Sequence, residues 1–285
     1  MARPAGDVLA TSTADRGRPG AELSRRSFVK AAGLLGIAGL AGQRWTLERV
    51  AAADDLAAAA QSDLAEHQWT FVIDLRRCDG CGRCTTGCQE MHHLPDDQAW
   101  IKVYEVTDAS GGTFSMPVLC QMCERAPCVQ VCPVGATYHE PDGVVLIDQD
   151  ICIGCRMCMA ACPYGVRVFN WRPPKVGSSS QQAAVPPGAE SSSALFTLPQ
   201  RQGTVGKCDN CAHMLREGGF PACVTSCPME AIYVGDFVGD VATNGRDSVV
   251  LSNFLRENDA YRYKDELGTE PRVYYIGGHG QDLEF

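Results

Sequence analysis

Cys78-Asp79-Gly80-Cys81-Gly82-Arg83-Cys84-Thr85-Thr86-Gly87-Cys88 carries four thiols in eleven residues, in the spacing C-x2-C-x2-C-x3-C. The same spacing returns at Cys152, Cys155, Cys158 and Cys162. Two further groups keep the outer pairs and stretch the middle gap: Cys120, Cys123, Cys128, Cys132 (C-x2-C-x4-C-x3-C) and Cys208, Cys211, Cys223, Cys227 (C-x2-C-x11-C-x3-C). Three groups run on into proline, at Pro133, Pro163 and Pro228, and the four groups take up all sixteen cysteines of the chain. Cys-x-x-Cys turns let thiolates converge on different irons of one cluster. The fourth cysteine stands apart and is free to reach a neighbouring one.

Groups one and three have the spacing by which bacterial ferredoxins hold cubane iron–sulfur clusters. Four groups then account for four [4Fe-4S] clusters, a conductor for electrons. Structural zinc sites come as two separated Cys-x-x-Cys pairs or with histidines, which makes zinc the lesser reading. An even cysteine count in an exported chain would also suit disulfides.

The N-terminus bears on that choice. Ser24-Arg25-Arg26-Ser27-Phe28-Val29-Lys30 resembles the twin-arginine export signal, and an apolar run, Ala31 to Gly42, follows at once. That run is 12 residues long and interrupted by Gly33, Gly36, Gly39 and Gly42, against the roughly 20 residues that a membrane span needs. Ala51-Ala52-Ala53 offers a small-residue cleavage site before Asp54. Residues 1–53 therefore read as a twin-arginine signal peptide, with Arg25 and Arg26 as its export pair. The remainder is expected at the periplasmic, extracytoplasmic face of the membrane. What is known of that pathway implies cargo that crosses folded, with cofactors loaded. The thiols would be committed to iron before meeting an oxidising compartment, and disulfides become the minor reading.

The chain has 25 basic and 34 acidic residues, and without the leader 17 and 30 remain, a formal charge of −13. Thiolate-bound cubanes add to it. Nucleic acid is excluded as a partner, because that interaction runs on excess Lys and Arg. No later apolar run approaches 18 residues, so no direct membrane span is expected in the mature chain, and any anchor belongs to another subunit.

The chain also repeats itself. Phe71-Val72-Ile73-Asp74 precedes Cys78 as Val145-Leu146-Ile147-Asp148 precedes Cys152, and Pro127–Pro133 aligns with Ala222–Pro228. Ala136-Thr137-Tyr138 answers Ala231-Ile232-Tyr233. Two ferredoxin-like units of two clusters each explain the pattern. The fold class is α+β: tandem, duplicated bacterial ferredoxin-like units organised around four iron–sulfur clusters, with long loops. Ala136–His139 and Val144–Ile147 are predicted as strands joined by the turn Glu140-Pro141-Asp142-Gly143. Ile101–Val106 is predicted as another strand, and short helical turns are predicted to follow each run of three cysteines.

Arg172 to Gly206 breaks the repeat with five prolines and two serine triplets, and reads as an exposed insertion. Beyond group four, a helix is predicted over Ser248–Glu257 and an extended aromatic end over Pro271–Ile276, packed on the domain or on a partner. The chain then divides into the signal (1–53), a short linker (54–67), cluster motifs I–III (68–171), the insertion (172–206), motif IV (207–235) and a C-terminal extension (236–285).

No nucleophile–base pair, phosphate loop or nucleotide fingerprint is present, so no catalytic residue is assigned. Lys207 and Arg83 adjoin ligand cysteines and are candidates for raising cluster potentials. His92 and His93 follow group one and His213 lies in group four. They read as surface or core histidines, because sixteen cysteines already complete the ligand count.

The four motifs in this order resemble the four-cluster iron–sulfur (beta) subunit of the molybdopterin, DMSO-reductase-type oxidoreductases, over about Gln68 to Ile276. Cys162-Pro163-Tyr164-Gly165-Val166-Arg167 and Thr269-Glu270-Pro271 share the likeness. The resemblance implies that motifs pair one with four and two with three, each lending its last cysteine to the other. One cluster then takes Cys78, Cys81, Cys84 and Cys227, and its neighbour takes Cys208, Cys211, Cys223 and Cys88. A third takes Cys120, Cys123, Cys128 and Cys162, and the fourth takes Cys152, Cys155, Cys158 and Cys132. Gln89 stands after Cys88 where a proline is expected. The resemblance also implies partners: a molybdopterin catalytic subunit and a polytopic quinone-reactive membrane subunit. A quinol-oxidising complex feeding cytochromes such as cytochrome c, a periplasmic hydrogenase and a free polyferredoxin remain the alternatives.

Overall fold

Trp69–Asp74 is dominated by aromatic and β-branched residues, and all six are buried, which requires cover on both faces of a strand. This segment becomes β1, near the middle of a six-stranded sheet. The computed structural model describes residues 64–107, 111–172 and 200–277, all within one compact unit. The leader with Arg25 and Arg26, and residues 173–199 of the insertion, lie outside the described residues.

In chain order β1 (Trp69–Asp74) is followed by α1 (Arg83–Met91), β2 (Lys102–Thr107), β3 (Thr113–Val118), α2 (Pro127–Gln130), β4 (Thr137–His139) and β5 (Val145–Ile147). Then come α3 (Met157–Ala161), β6 (Val168–Phe169), β7 (Val205–Gly206), α4 (Ala212–Arg216), α5 (Ala222–Thr225) and β8 (Ile232–Asp236). The chain closes with β9 (Val241–Thr243), β10 (Ser248–Val250), α6 (Leu251–Glu257), β11 (Tyr261–Arg262) and β12 (Val273–Ile276). The large sheet has the order β10-β9-β8-β1-β12-β11. Within it β1 runs antiparallel to β8 and parallel to β12, with Phe71 opposite both Val234 and Val273. Alternation along β1 divides the core. Phe71 and Ile73 face the cysteine-bearing interior with Val273 and Tyr275, whereas Val72 joins Tyr233, Leu251 and Ile276 beneath α6.

The internal repeat is visible in the hydrogen bonds. Asp74 N–H donates to Ala231 O at 2.8 Å, and Asp148 N–H donates to Ala136 O at 2.7 Å. The first bond joins β1 to β8, and the second joins β5 to β4. Helices pair the same way, α1 against α5 and α2 against α3. Motifs one and four thus build one half, and motifs two and three build the other.

The expected hairpin forms, with Thr137 opposite Ile147 and Gly143 at φ 83° in its turn. The expected strand over Ile101–Val106 appears as β2, paired with a strand, β3, for which no expectation was formed. Three boundaries differ from expectation. The helical turns do not follow the cysteine runs, because the third cysteine of each run (Cys84, Cys128, Cys158, Cys223) is already the second residue of its helix. The helix expected from Ser248 starts at Leu251. Ser248–Val250 instead pairs with β9, as suits two consecutive valines, and Asp240 receives the helix start through Leu251 N–H (3.0 Å) and Ser252 N–H (2.7 Å). The insertion ends early, since Val205–Gly206 pairs with β6 and Asn170 N–H reaches Thr204 O at 2.9 Å.

Candidate metal centres

Each Cys-x-x-Cys turn requires a backbone that curls back on itself, and the left-handed positions supply it. Gly80 and Gly154 occupy matching places at φ 76° and 67°, and Met122 and Asn210 match at 44° and 64°. Gly154 admits no side chain, because a Cβ there would stand 2.0 Å from Gly203 O. Gly82 and Arg156 also match, at φ 70° and 63°. A non-glycine residue pays about 1–2 kcal/mol in that region. Arg156 is held there by its guanidinium, 5.1 Å from the Phe169 ring and 4.9 Å from the Trp171 ring.

Third and fourth cysteines are four residues apart in every group. Cys132, Cys162 and Cys227 stand just beyond the ends of their helices, and only Cys88 stays within its own. The helix α3 stops at Ala161, with Cys162 already extended ahead of Pro163, whereas Gln89 lets α1 run on to Met91 and carry His92 inward.

All sixteen thiols are free. One cavity is lined by Cys120, Cys123, Cys128 and Cys162. Another is lined by Cys132, Cys152, Cys155 and Cys158. In the other half Cys78 faces Cys227 and Cys81, and Cys84 faces Cys227 and Cys78. Cys88 leaves its own group and faces Cys208 and Cys223, and those two face Cys211. Fourth cysteines thus stand with the partner motif in both halves. Cys81 and Cys155 are exposed, and most of the others are buried.

Burial pushes the Cys84 thiol up to about 11, and Cys123 and Cys208 up to about 12, with neighbouring thiols adding to the rise. Bare thiolates are costly here, and a bound cation removes that cost by coordinating them. At Cys132 burial is outweighed by the backbone N–H groups of Thr137, Val134, Ala136 and Gly135, which hold its thiol below the ordinary value. Sets of four thiols in desolvated cavities fit iron–sulfur clusters. Sulfur-only sets also fit zinc, so the donor chemistry alone does not choose.

Comparison with known proteins decides it. 4Fe-4S dicluster domains match residues 112–179 and 151–232. The chain is 40% identical over 224 residues to a putative dimethyl sulfoxide reductase iron–sulfur subunit of Halobacterium salinarum, covering 73% of this chain and 78% of that one. It belongs to the iron–sulfur subunit family of the molybdopterin, DMSO-reductase-type oxidoreductases. A selenate reductase subunit of Mesobacillus selenatarsenatis is 38% identical over 235 residues, with 78% and 76% covered. The arsenate respiratory reductase iron–sulfur subunit of a Shewanella species is 35% identical over 235 residues, with 74% and 96% covered. Members of this family are electron carriers and not catalysts, and the dicluster matches with sixteen cysteines account for four [4Fe-4S] clusters.

The remaining candidates divide. Lys207 is buried, 3% exposed, with its charge toward Cys128 and Cys208 and its Nζ donating to Cys208 O at 2.5 Å. Arg83 and His93 are exposed. His92 is buried against Trp100, with Nε2 3.3 Å from Cys211 Sγ and 3.6 Å from Asp209 Oδ1. His213 packs edge-on to His92. The motif spacing gave no sign of one further residue, Arg167, which is buried, lines the cavity of Cys120, Cys123, Cys128 and Cys162, and turns its charge toward Cys158 of the other as well. The C-terminal extension straps motif two: Glu124 and Arg125 N–H groups reach Glu270 O and Thr269 O, and Arg272 N–H reaches Gln121 O.

Proposed function

We propose that this chain relays electrons one at a time between a polytopic quinone- or quinol-reactive membrane subunit and a molybdopterin catalytic subunit carrying molybdenum or tungsten. It would work at the extracytoplasmic face of the membrane, after export through the signal containing Arg25 and Arg26. The observation that carries this reading is the arrangement of the cysteine sets in a row. Cys78, Cys81 and Cys84 hold one cluster with Cys227, and Cys208, Cys211 and Cys223 hold the next with Cys88. Cys120, Cys123, Cys128 and Cys162 hold the third, and Cys152, Cys155, Cys158 and Cys132 hold the fourth. Cys84 faces Cys223, Cys208 faces Cys120, and Arg167 faces both Cys128 and Cys158. The row ends at the exposed Cys81 and Cys155, where partner redox centres have access.

Each cluster, when bound, supplies one-electron acceptance and release. The chain fixes the thiolates, excludes water from the inner sets, and offsets their charge with Lys207 and Arg167. Relatives named as subunits of dimethyl sulfoxide, selenate and arsenate reductases support a respiratory assembly. Among the described residues no helix is long and apolar enough to cross a membrane, and the anchor is assigned to the membrane partner.

The test is mild-detergent purification of the tagged protein from its host's membranes, with co-eluting chains identified by mass spectrometry and molybdenum, tungsten and iron counted. A molybdenum- or tungsten-bearing chain together with a polytopic membrane protein is expected. Cytochromes without either metal would replace this reading with a quinol-oxidising complex, and elution alone would replace it with a free polyferredoxin.

A further inference from the structure

Arg167 is 5% exposed. Its Nη1 donates to Thr137 Oγ1 at 3.3 Å, and Nη2 is fully buried with no hydrogen-bond partner. The groups that its charge meets most strongly are the sulfurs of Cys128, Cys158 and Cys120. An uncompensated buried cation costs several kcal/mol. Thiolates bound at the neighbouring sites would compensate this charge.

The position of the two thiols is what gives Arg167 its reach. Cys128 lines one cavity and Cys158 lines the other, and each is the second residue of its helix, in α2 and α3, which pack together. Guanidinium has five donors in a rigid planar fork, so one side chain can serve acceptors on two sides in fixed directions, whereas a lysine head is a compact point charge on a flexible stem. Positive charge and N–H donation to sulfur favour the more negative, reduced form of a cluster and raise its potential.

We propose that Arg167 is a positioning and potential-setting residue shared by the two cluster sites of the second half, bridging the ligand thiolates Cys128 and Cys158 and raising the potentials of both clusters together. This rests on the cysteine assignment given under the proposed function. It goes further in assigning one side chain to the junction between two sites, with its orphan Nη2 donating to sulfur of a bound cluster.

The experiment is an EPR-monitored redox titration of the full chain, purified in its native complex, with signals assigned by Cys120→Ser and Cys152→Ser. Arg167→Met is expected to lower the potentials of two clusters, those assigned to the second half, and leave the other two in place. Arg167→Lys should give a smaller fall in the same two. No shift, a shift in one cluster alone, or an equal shift in all four overturns the proposal. If the Met variant loses a cluster, the Lys variant decides: unchanged potentials with all four clusters present overturn the proposal. Iron and acid-labile sulfide below four cubanes in the unsubstituted chain would instead count against the cysteine assignment.

Discussion

His92 Nε2 stands 3.3 Å from Cys211 Sγ, across 119 residues of sequence. A coordinated thiolate can only accept a hydrogen bond, and Asp209 Oδ1, 3.6 Å away, is also an acceptor, so Nε2 carries the proton. Donation to a ligand sulfur stabilises the reduced cluster. Replacing His92 with phenylalanine keeps the packing on Trp100 and removes the donor. The cluster at Cys208, Cys211 and Cys223 should fall in potential by on the order of 50 mV, equivalent to a hydrogen bond of about 1 kcal/mol. Redox titration of the full chain measures it, and an unmoved potential would show that the imidazole is there only as filling.

Cys88 belongs to motif one by sequence and to motif four by position. Cys88→Ser should alter the spectroscopic signal of the site at Cys208, Cys211 and Cys223 and spare the site at Cys78, Cys81 and Cys84. EPR with iron counting separates the outcomes. Loss of the latter signal would reverse the pairing.

Gly154 leaves no room for a methyl group against Gly203 O. Gly154→Ala combines that clash with a left-handed backbone, and the expected cost is roughly 2–3 kcal/mol. Because cluster proteins lose iron irreversibly on unfolding, the useful readout is the half-life of visible absorbance at fixed temperature. That half-life should shorten, and only weakly so in Gly111→Ala, where nothing stands within 4 Å.

Tyr275 is fully buried in β12, donating to Pro117 O at 3.1 Å and accepting from Gln121 Nε2 at 3.3 Å. Tyr275→Phe keeps the ring and takes the donor from Pro117 O, while Gln121 Nε2 keeps Leu119 O at 2.9 Å, for about 1–3 kcal/mol. Gln121 lies in the first turn of motif two, so that cluster should be the first to bleach under denaturant. Uniform loss of all four signals would argue that the tail serves the sheet alone.

The cysteine groups made the two-unit plan legible, because ligand spacing is set by cluster geometry and survives without knowledge of packing. The duplication was equally legible, since Phe71–Asp74 and Val145–Asp148 keep both their pattern and their distance to the first cysteine. Arg167 stood in the tract Cys162–Arg167 that carries the likeness, but its place was not legible until α2 and α3 pack and Thr137 is brought beside it. His92 was read as surface or core, and its burial follows from Gln89 extending α1 by a turn that Pro163 denies to α3. The helix start at Leu251 escaped because Asp240, the group that caps it, is remote in sequence. Local propensity carries no record of such partners.

The pairing of strands also sets an order of assembly. β4, β5, α2 and α3 lie together in sequence, and their eight cysteines are all synthesised by Cys162. β1 and α1 emerge first, yet they must wait for β8 and α5, and for β12 after those, before their hydrogen bonds and their borrowed thiols exist. The half built from motifs two and three thus has all its cysteines while the other half still lacks four, although the strap from Thr269 to Arg272 reaches motif two only at the end. A chain cut short before Cys208 would keep the means to build two sites and leave the oldest four cysteines without a home.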